Sequence, residues 1–423
     1  MKNTLCFLAL MLSSQLLIAQ FDTFFHDQTL RIDYTHAGTA TQEWYALDQI
    51  LAEPFWGGSK TNLIDTLYFG KYFFEAFDKH TGELIYSRGY GSLFGEWQTT
   101  DEAGYRSRSF QETVIMPYPK HETVIVFSSR NRQGILDSIY SLTVDPDDYF
   151  IKAVQPKKWP VFELEINAPT EHAVDIVLLP DGYTAYEMDK FIHDSQVFAE
   201  GLFSFQPFTS LREKFNIRLV LAVSNESGAI MPADSIWPST LLSSSFYTFD
   251  SERYCMTAEH KKIRDLASHV PYDQIFVLLN TEKYGGGGIY NFYCLSTVDH
   301  PLFSKVAVHE FGHGFAGLGD EYFDSSTAYE DFYNLEIEPW EPNLTTLVDF
   351  GKKWTYLIEP DTPVPTPDTE EYNDHIGVFE GGGYVSKGMY RSSRNCLMNS
   401  FESSTFCAVC NEAIKKMVRF YTD

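Results

Sequence analysis

Two histidines four residues apart constrain this chain more than any other feature. His309 and His313 lie in the stretch Leu302 to Ala316, where Val306, Ala307 and Phe311 place apolar residues at helical spacing. On a helix that spacing sets both imidazoles on one face, one turn apart, where they can share a tetrahedral ion. Glu310 follows the first histidine. In this arrangement it points toward an open coordination position and can take a proton from water. Gly312 and Gly314 allow close backbone approach, and the chain turns at Gly317-Leu318-Gly319 to present Asp320-Glu321-Tyr322. A catalytic zinc site needs a third protein ligand. The glycine turn brings Asp320 back to the histidines, so Asp320 is the expected ligand, with Glu321 as its main competitor and Asp324 as a weaker one.

The rest of the sequence says what surrounds that helix. At about 100–200 residues per domain, the length implies two or three domains. An apolar share of 44% gives each a core, and a formal charge of -26 argues against nucleic acid and anionic membrane surfaces as partners. Residues 1–20 read as a signal peptide: Met1-Lys2-Asn3 is a short basic start, Leu5 to Leu12 is apolar, and cleavage is expected near Ala19 or Gln20. No small-residue lipobox precedes Cys6. No later run approaches the roughly 18 apolar residues of a membrane helix. The mature chain is therefore expected to be secreted, periplasmic or extracellular, without a transmembrane anchor.

Residues 21–155 read as an all-β sandwich. Ile64 to Phe77 is strand-like, Asp78 to Gly82 is a turn, and Glu83 to Ser87 follows as the partner strand. Thr113 to Met116 and Thr123 to Phe127 flank a second expected hairpin. Residues 156–168 are expected as a linker around Lys157-Lys158-Trp159-Pro160. From 169 to 423 the pattern is mixed. Ala173 to Leu179, Phe215 to Val223, Gln274 to Leu279 and Ile289 to Leu295 read as strands. Tyr186 to Phe203 and Ala408 to Tyr421 read as helices.

Five cysteines remain after the signal: Cys255, Cys294, Cys396, Cys407 and Cys410. An odd count leaves at least one outside any intramolecular pair. Cys407-Ala-Val-Cys410 has metal-ligand spacing but no second such pair. A structural zinc is not expected there, and local disulfide chemistry with Cys396 or burial is the plainer reading. Gly285 to Gly288 lacks the helix and Lys-Ser/Thr ending of a phosphate loop. It reads instead as an edge strand or bulge, where an extended substrate strand can pair.

Taken together, His309-Glu310-x-x-His313, the glycine turn and Cys396-Leu397-Met398-Asn399 resemble a metzincin with its Met-turn. HEFGHGFAGLGDEY (309–322), DGYT (181–184), KYGGGGIYNFY (283–293) and YRSSRNCLMNS (390–400) are similar to the bacterial IgA metallopeptidase family. The resemblance implies an α+β multidomain chain, with an N-terminal sandwich before a metzincin-like zincin domain of mixed sheet, active-site helix and Met-turn. It implies Zn2+ as cofactor, Met398 beneath the metal, Tyr390 near the oxyanion, and the glycine strand at the cleft rim. The general metzincin pattern puts a glycine three residues after the second histidine and a ligand histidine three further on. Here Gly317 and Asp320 each fall one residue later.

The function expected is a secreted zinc endopeptidase acting on extracellular protein or glycoprotein. One alternative is a zinc hydrolase acting on cell-wall peptide crosslinks. Another is a catalytically silent glycan- or protein-binding protein, which has no need of Glu310. Nothing in the sequence encodes oligomeric state or a choice of immunoglobulin as substrate.

Overall fold

The computed structural model describes residues 20–154, 157–323 and 332–423. The expected signal segment, apart from Gln20, lies outside the described residues, as does Asp324. Four strands form one N-terminal sheet: β1 (Phe25–Gly38), β2 (Glu43–Glu53), β5 (Arg108–Pro119) and β8 (Lys152–Ala153), in the order β5-β1-β2-β8. A second sheet, β4-β3-β6-β7, is made of β3 (Tyr72–Asp78), β4 (Leu84–Tyr90), β6 (Thr123–Arg130) and β7 (Leu136–Val144). The short helix α1 (Leu93–Trp97) crosses between them, with the Ser92 hydroxyl accepting the Gly95 N–H.

Two local expectations change. The β5–β6 hairpin does not exist: β5 pairs with β1 and β6 with β3, so the chain switches sheets between them. Strong strand residues on each side of a turn fix two strands but not their partners. The stretch from Ile64 is not a strand until Tyr72. Asp65 accepts the backbone N–H groups of Leu67 and Tyr68, and Tyr68 and Gly70 take positive φ values of 54° and 101°, so the chain turns first.

The second unit is built on one six-stranded sheet ordered β13-β14-β12-β10-β11-β9. Its strands are β9 (Val161–Glu165), β10 (Val174–Asp181), β11 (Phe215–Val220), β12 (Gln274–Leu279), β13 (Gly286–Gly288) and β14 (Tyr293–Thr297). The central four run parallel and both edges are antiparallel. Residues 161–165, expected inside the linker, are therefore an edge strand of this sheet. The Ile289–Leu295 stretch is also divided. Asn291 takes a φ of 56° and donates its N–H to the Gly314 carbonyl, so the strand begins at Tyr293. The smaller sheet β15-β17-β16 comprises β15 (Leu344–Thr345), β16 (Phe379–Gly382) and β17 (Val385–Arg391).

The apolar runs of β10 and β12 are explained by burial on both faces. Val177, Leu179, Val277 and Leu279 belong to a core shared with sandwich residues such as Trp56, Phe74 and Tyr86. Val174, Ile176, Leu178 and Phe276 face the other core, with the helices α2 (Met188–Phe203), α4 (Phe303–Ala316) and α5 (Ala408–Thr422). The sandwich thus packs on one face of the central sheet and the helices on the other. Arg88 of β4 reinforces the join. Its guanidinium lies 4.1 Å from the Phe420 ring centre and donates to Tyr421 Oη at 2.7 Å.

The helix α3 (His260–Ala267) also sits in the seam. His260 is buried edge-on against Phe292 and Tyr293, and burial pushes its imidazole down to about 4. The folded chain keeps this ring neutral while the unfolded chain protonates it near pH 6.5. Its contribution to stability is therefore present above pH 6.5 and is lost as pH falls toward 4. Urea unfolding at pH 7 and pH 5 should show a loss of about 2 kcal/mol from this group, absent from the pH dependence of His260→Phe. An identical pH dependence in both proteins would remove His260 from the account.

Candidate metal centre

Helix α4 presents a buried His309, a half-buried His313 and, between them, Glu310. It ends at Gly317, which adopts a φ of 64° and sends its N–H back to the carbonyls of Gly312 and His313. That left-handed cap turns the chain through Leu318 and Gly319 toward the histidines. Asn343 clamps the turn, accepting the Gly319 N–H and donating to the Gly319 carbonyl, both at 2.8 Å. Asp320 then arrives with Oδ1 3.1 Å from His309 Nε2 and 3.3 Å from His313 Nε2. The two Nε2 atoms are 3.0 Å apart.

The outer ring nitrogens decide what those three atoms are. His309 Nδ1 lies 3.1 Å from the Leu397 carbonyl oxygen, and His313 Nδ1 lies 2.6 Å from that of Leu318. A carbonyl only accepts, so each Nδ1 carries the proton and each Nε2 offers a lone pair inward. Two imidazole lone pairs and a carboxylate oxygen therefore converge on one point. Ligand atoms at about 2.0–2.1 Å from a tetrahedral zinc stand about 3.3 Å apart, so the observed spacings fit a shared cation. The other Asp320 oxygen, Oδ2, accepts from Tyr384 Oη at 2.5 Å and Tyr322 Oη at 3.0 Å, which leaves Oδ1 for the histidines.

The local field favours positive charge at this point. Burial opposes ionisation of Asp320, but His313 and His309 hold it well below the usual carboxylate range. Burial lowers His313, yet Asp320 and Glu310 raise it to about 9, so without a metal its Nε2 carries a proton that a bound cation would displace. Burial pushes Glu310 up, opposed by the two histidines.

The remaining sequence candidates fall as follows. Glu321 turns away from the histidines and accepts from Asn343 Nδ2 at 3.0 Å. Met398 is buried in a tight turn, its sulfur 3.1 Å from where a Cβ on Gly312 would stand. The same turn supplies the Leu397 carbonyl to His309, and the Met398 carbonyl accepts the Glu321 N–H at 2.8 Å. Gly286, Gly287 and Gly288 line a cleft of about 1160 Å³ beside Glu310, whereas Gly285 and Tyr390 do not. Tyr390 pairs with Thr345 and Glu380 in the small sheet. Gly286 has its outward backbone groups engaged by Arg253 and Cys255.

Sequence reasoning missed Tyr384, Tyr322, Asn343 and Glu96. Tyr384 sits in the turn after Gly381-Gly382-Gly383, and that second glycine cluster was the available signal. Glu96 comes from α1 of the sandwich, lines the cleft, and accepts from Tyr254 Oη. Burial raises it to about 7. The N-terminal unit is thus part of the cleft wall.

The helix glycines set how closely α4 can be approached. A Cβ on Gly314 would stand 2.2 Å from Cys294 Sγ. Gly314→Ala should cost about 1–3 kcal/mol in urea unfolding, and adding Cys294→Ala should recover most of it. Additive costs in the double variant would contradict the close approach.

A family model described as IgA Peptidase M64 matches residues 162–375 and 368–418. A second, described as Peptidase M64 N-terminus, matches residues 20–141. No curated protein matches the chain. The first model alone covers more than half the chain, including α4, the glycine turn and the Met398 turn. The chain belongs to the IgA peptidase M64 family, a family of metallopeptidases.

Proposed function

We propose that the chain is a secreted zinc-dependent endopeptidase with a metzincin-like catalytic unit. The observation that carries this reading is the convergence of His309 Nε2, His313 Nε2 and Asp320 Oδ1, at 3.0–3.3 Å, beside Glu310. Two imidazoles and one carboxylate with an open side form a donor set suited to catalytic zinc. A zinc ion held there would supply Lewis acidity to water and to the scissile carbonyl.

The chain's own residues do the rest. Leu397 and Leu318 fix the ring orientation of the two histidines through Nδ1. Tyr384 and Tyr322 hold Asp320 by its outer oxygen. Glu310 takes a proton from water as the water oxygen bonds to the substrate carbonyl carbon. It then gives that proton to the nitrogen as the C–N bond breaks, so the amine leaves neutral. Met398 packs under Gly312 and supports the helix from below.

Several features support a polypeptide substrate. The cleft is larger than the roughly 300–1,000 Å³ of ordinary small-molecule sites. It runs between the sandwich and the catalytic sheet, from Lys71 and Glu96 to Glu310. The edge strand β13 offers the Gly288 end of its backbone to an extended peptide. Export is supported by the apolar segment Leu5 to Leu12. Among the described residues, no helix is long and apolar enough to cross a membrane. An extracellular protein or glycoprotein is the substrate class proposed.

Purified wild type and Glu310→Gln, offered a peptide library, test the reading by mass spectrometry. Wild type should cut internal peptide bonds, and the variant should be slower by about 10²–10⁴ with unchanged zinc content. Equal processing by both proteins would sink the peptidase reading. Release of muropeptides from cell walls, with no cleavage in the library, would establish the cell-wall hydrolase instead.

A further inference from the structure

Glu321 and three cysteines form a second cluster behind the first. Each of Glu321, Cys396, Cys407 and Cys410 offers one ligand atom, and these atoms lie within 4.8 Å of one another. Cys396 Sγ and Cys410 Sγ are 3.8 Å apart. Glu321 Oε1 is 3.2 Å from Cys410 Sγ and 3.8 Å from Cys407 Sγ. All four residues are buried, and the cysteines are free thiols.

Backbone N–H groups and a helix end face the sulfurs. The Cys407 N–H donates to Cys396 Sγ at 3.3 Å, and the Cys410 N–H donates to Cys407 Sγ at 3.4 Å. Ser392 Oγ lies 3.2 Å from Cys407 Sγ. Cys407 is the N-cap of α5, so the positive end of that helix faces the cluster. Arg391 acts on Glu321 and Cys396 from the small sheet.

Plain burial leaves the cluster unexplained. Glu321 Oε2 is buried without a hydrogen-bond partner, which is unfavourable unless something satisfies it. A disulfide between two cysteines would leave the third thiol to bond Glu321 Oε1, with Oε2 still unpartnered. A tetrahedral ion uses all four. Two thiolates at about 2.3 Å from one zinc stand about 3.8 Å apart, the separation found between Cys396 and Cys410.

We propose that Glu321, Cys396, Cys407 and Cys410 bind a structural zinc ion, distinct from the catalytic centre. Four protein ligands leave no open position, as in closed structural sites. Each cysteine loses its thiol proton to solvent on binding. Three thiolates select a soft or borderline cation over Ca2+ or Mg2+. The ion joins three segments: the glycine turn through Glu321, the Met398 turn through Cys396, and the start of α5 through Cys407 and Cys410. Glu321 is next to Asp320, and Cys396 is next to the Leu397 carbonyl that orients His309. The second ion therefore holds the frame on which the first set of ligands is aimed.

The site is read by zinc content and zinc K-edge absorption of the full-length purified protein. The expected result is two zinc ions per chain and a sulfur shell at about 2.3 Å. The histidine site has no sulfur donor, so any sulfur shell belongs to this cluster. In a His309→Ala, His313→Ala variant, one zinc with an undiminished sulfur shell should remain. Cys407→Ser with Cys410→Ser should lose the sulfur shell, and if that variant fails to fold the wild-type spectrum still decides. A wild-type spectrum without zinc–sulfur scattering, or a disulfide between any two of the three cysteines in peptide mass spectra, would overturn the proposal.

Discussion

Everything at the centre depends on two backbone carbonyls. Leu397 and Leu318 each accept an Nδ1–H, and so turn both imidazole lone pairs inward. Without them, either ring could settle with its only N–H on Asp320, leaving no inward lone pair for a cation. One carbonyl lies on the Met398 turn, far along the chain. The other lies in the glycine turn that also delivers Asp320. Helix α4 supplies the spacing of the histidines, but these two turns supply their chemistry. The glycines of α4 are part of the same constraint, because Met398 and Cys294 reach the helix only where no Cβ intervenes.

The shared core explains how the sandwich comes to form part of the cleft wall. One face of the central sheet is buried by residues such as Trp56 and Phe74 from the first unit. The same contact carries α1, and Glu96 with it, to the wall of the cleft. Removing the sandwich would expose half of the sheet that supports α4. The two family models, one for each unit, therefore describe parts that pack as one body of apolar residues.

Much of the site was legible because it is local. His309, Glu310 and His313 share one helix, and their relation follows from its period alone. The choice between Asp320 and Glu321 was not legible. Neighbouring residues on an extended chain point to opposite sides, and here one side holds two histidines while the other holds three cysteines. The cysteines that distinguish them lie 75 or more residues further on. A gap of 64 residues hid Tyr384, which reaches Asp320 from the small sheet, while Tyr390 is spent in strand pairing. In the sandwich the strands were legible and their partners were not: β5 and β6 read as neighbours, yet each is stitched to a strand laid down much earlier. The Cys407–Cys410 pair looked incomplete for the same reason, since Cys396 and Glu321 join it only through the fold.

The central claim is that Asp320 completes the set begun by His309 and His313. It is tested most directly by titrating zinc affinity at the histidine site, with a competing chelator, in wild type and Asp320→Ala. Loss of one of three ligands should weaken binding at that site by 100-fold or more, on the order of 3 kcal/mol. The variant should remain folded by circular dichroism. Unchanged affinity in a folded Asp320→Ala protein would contradict the account.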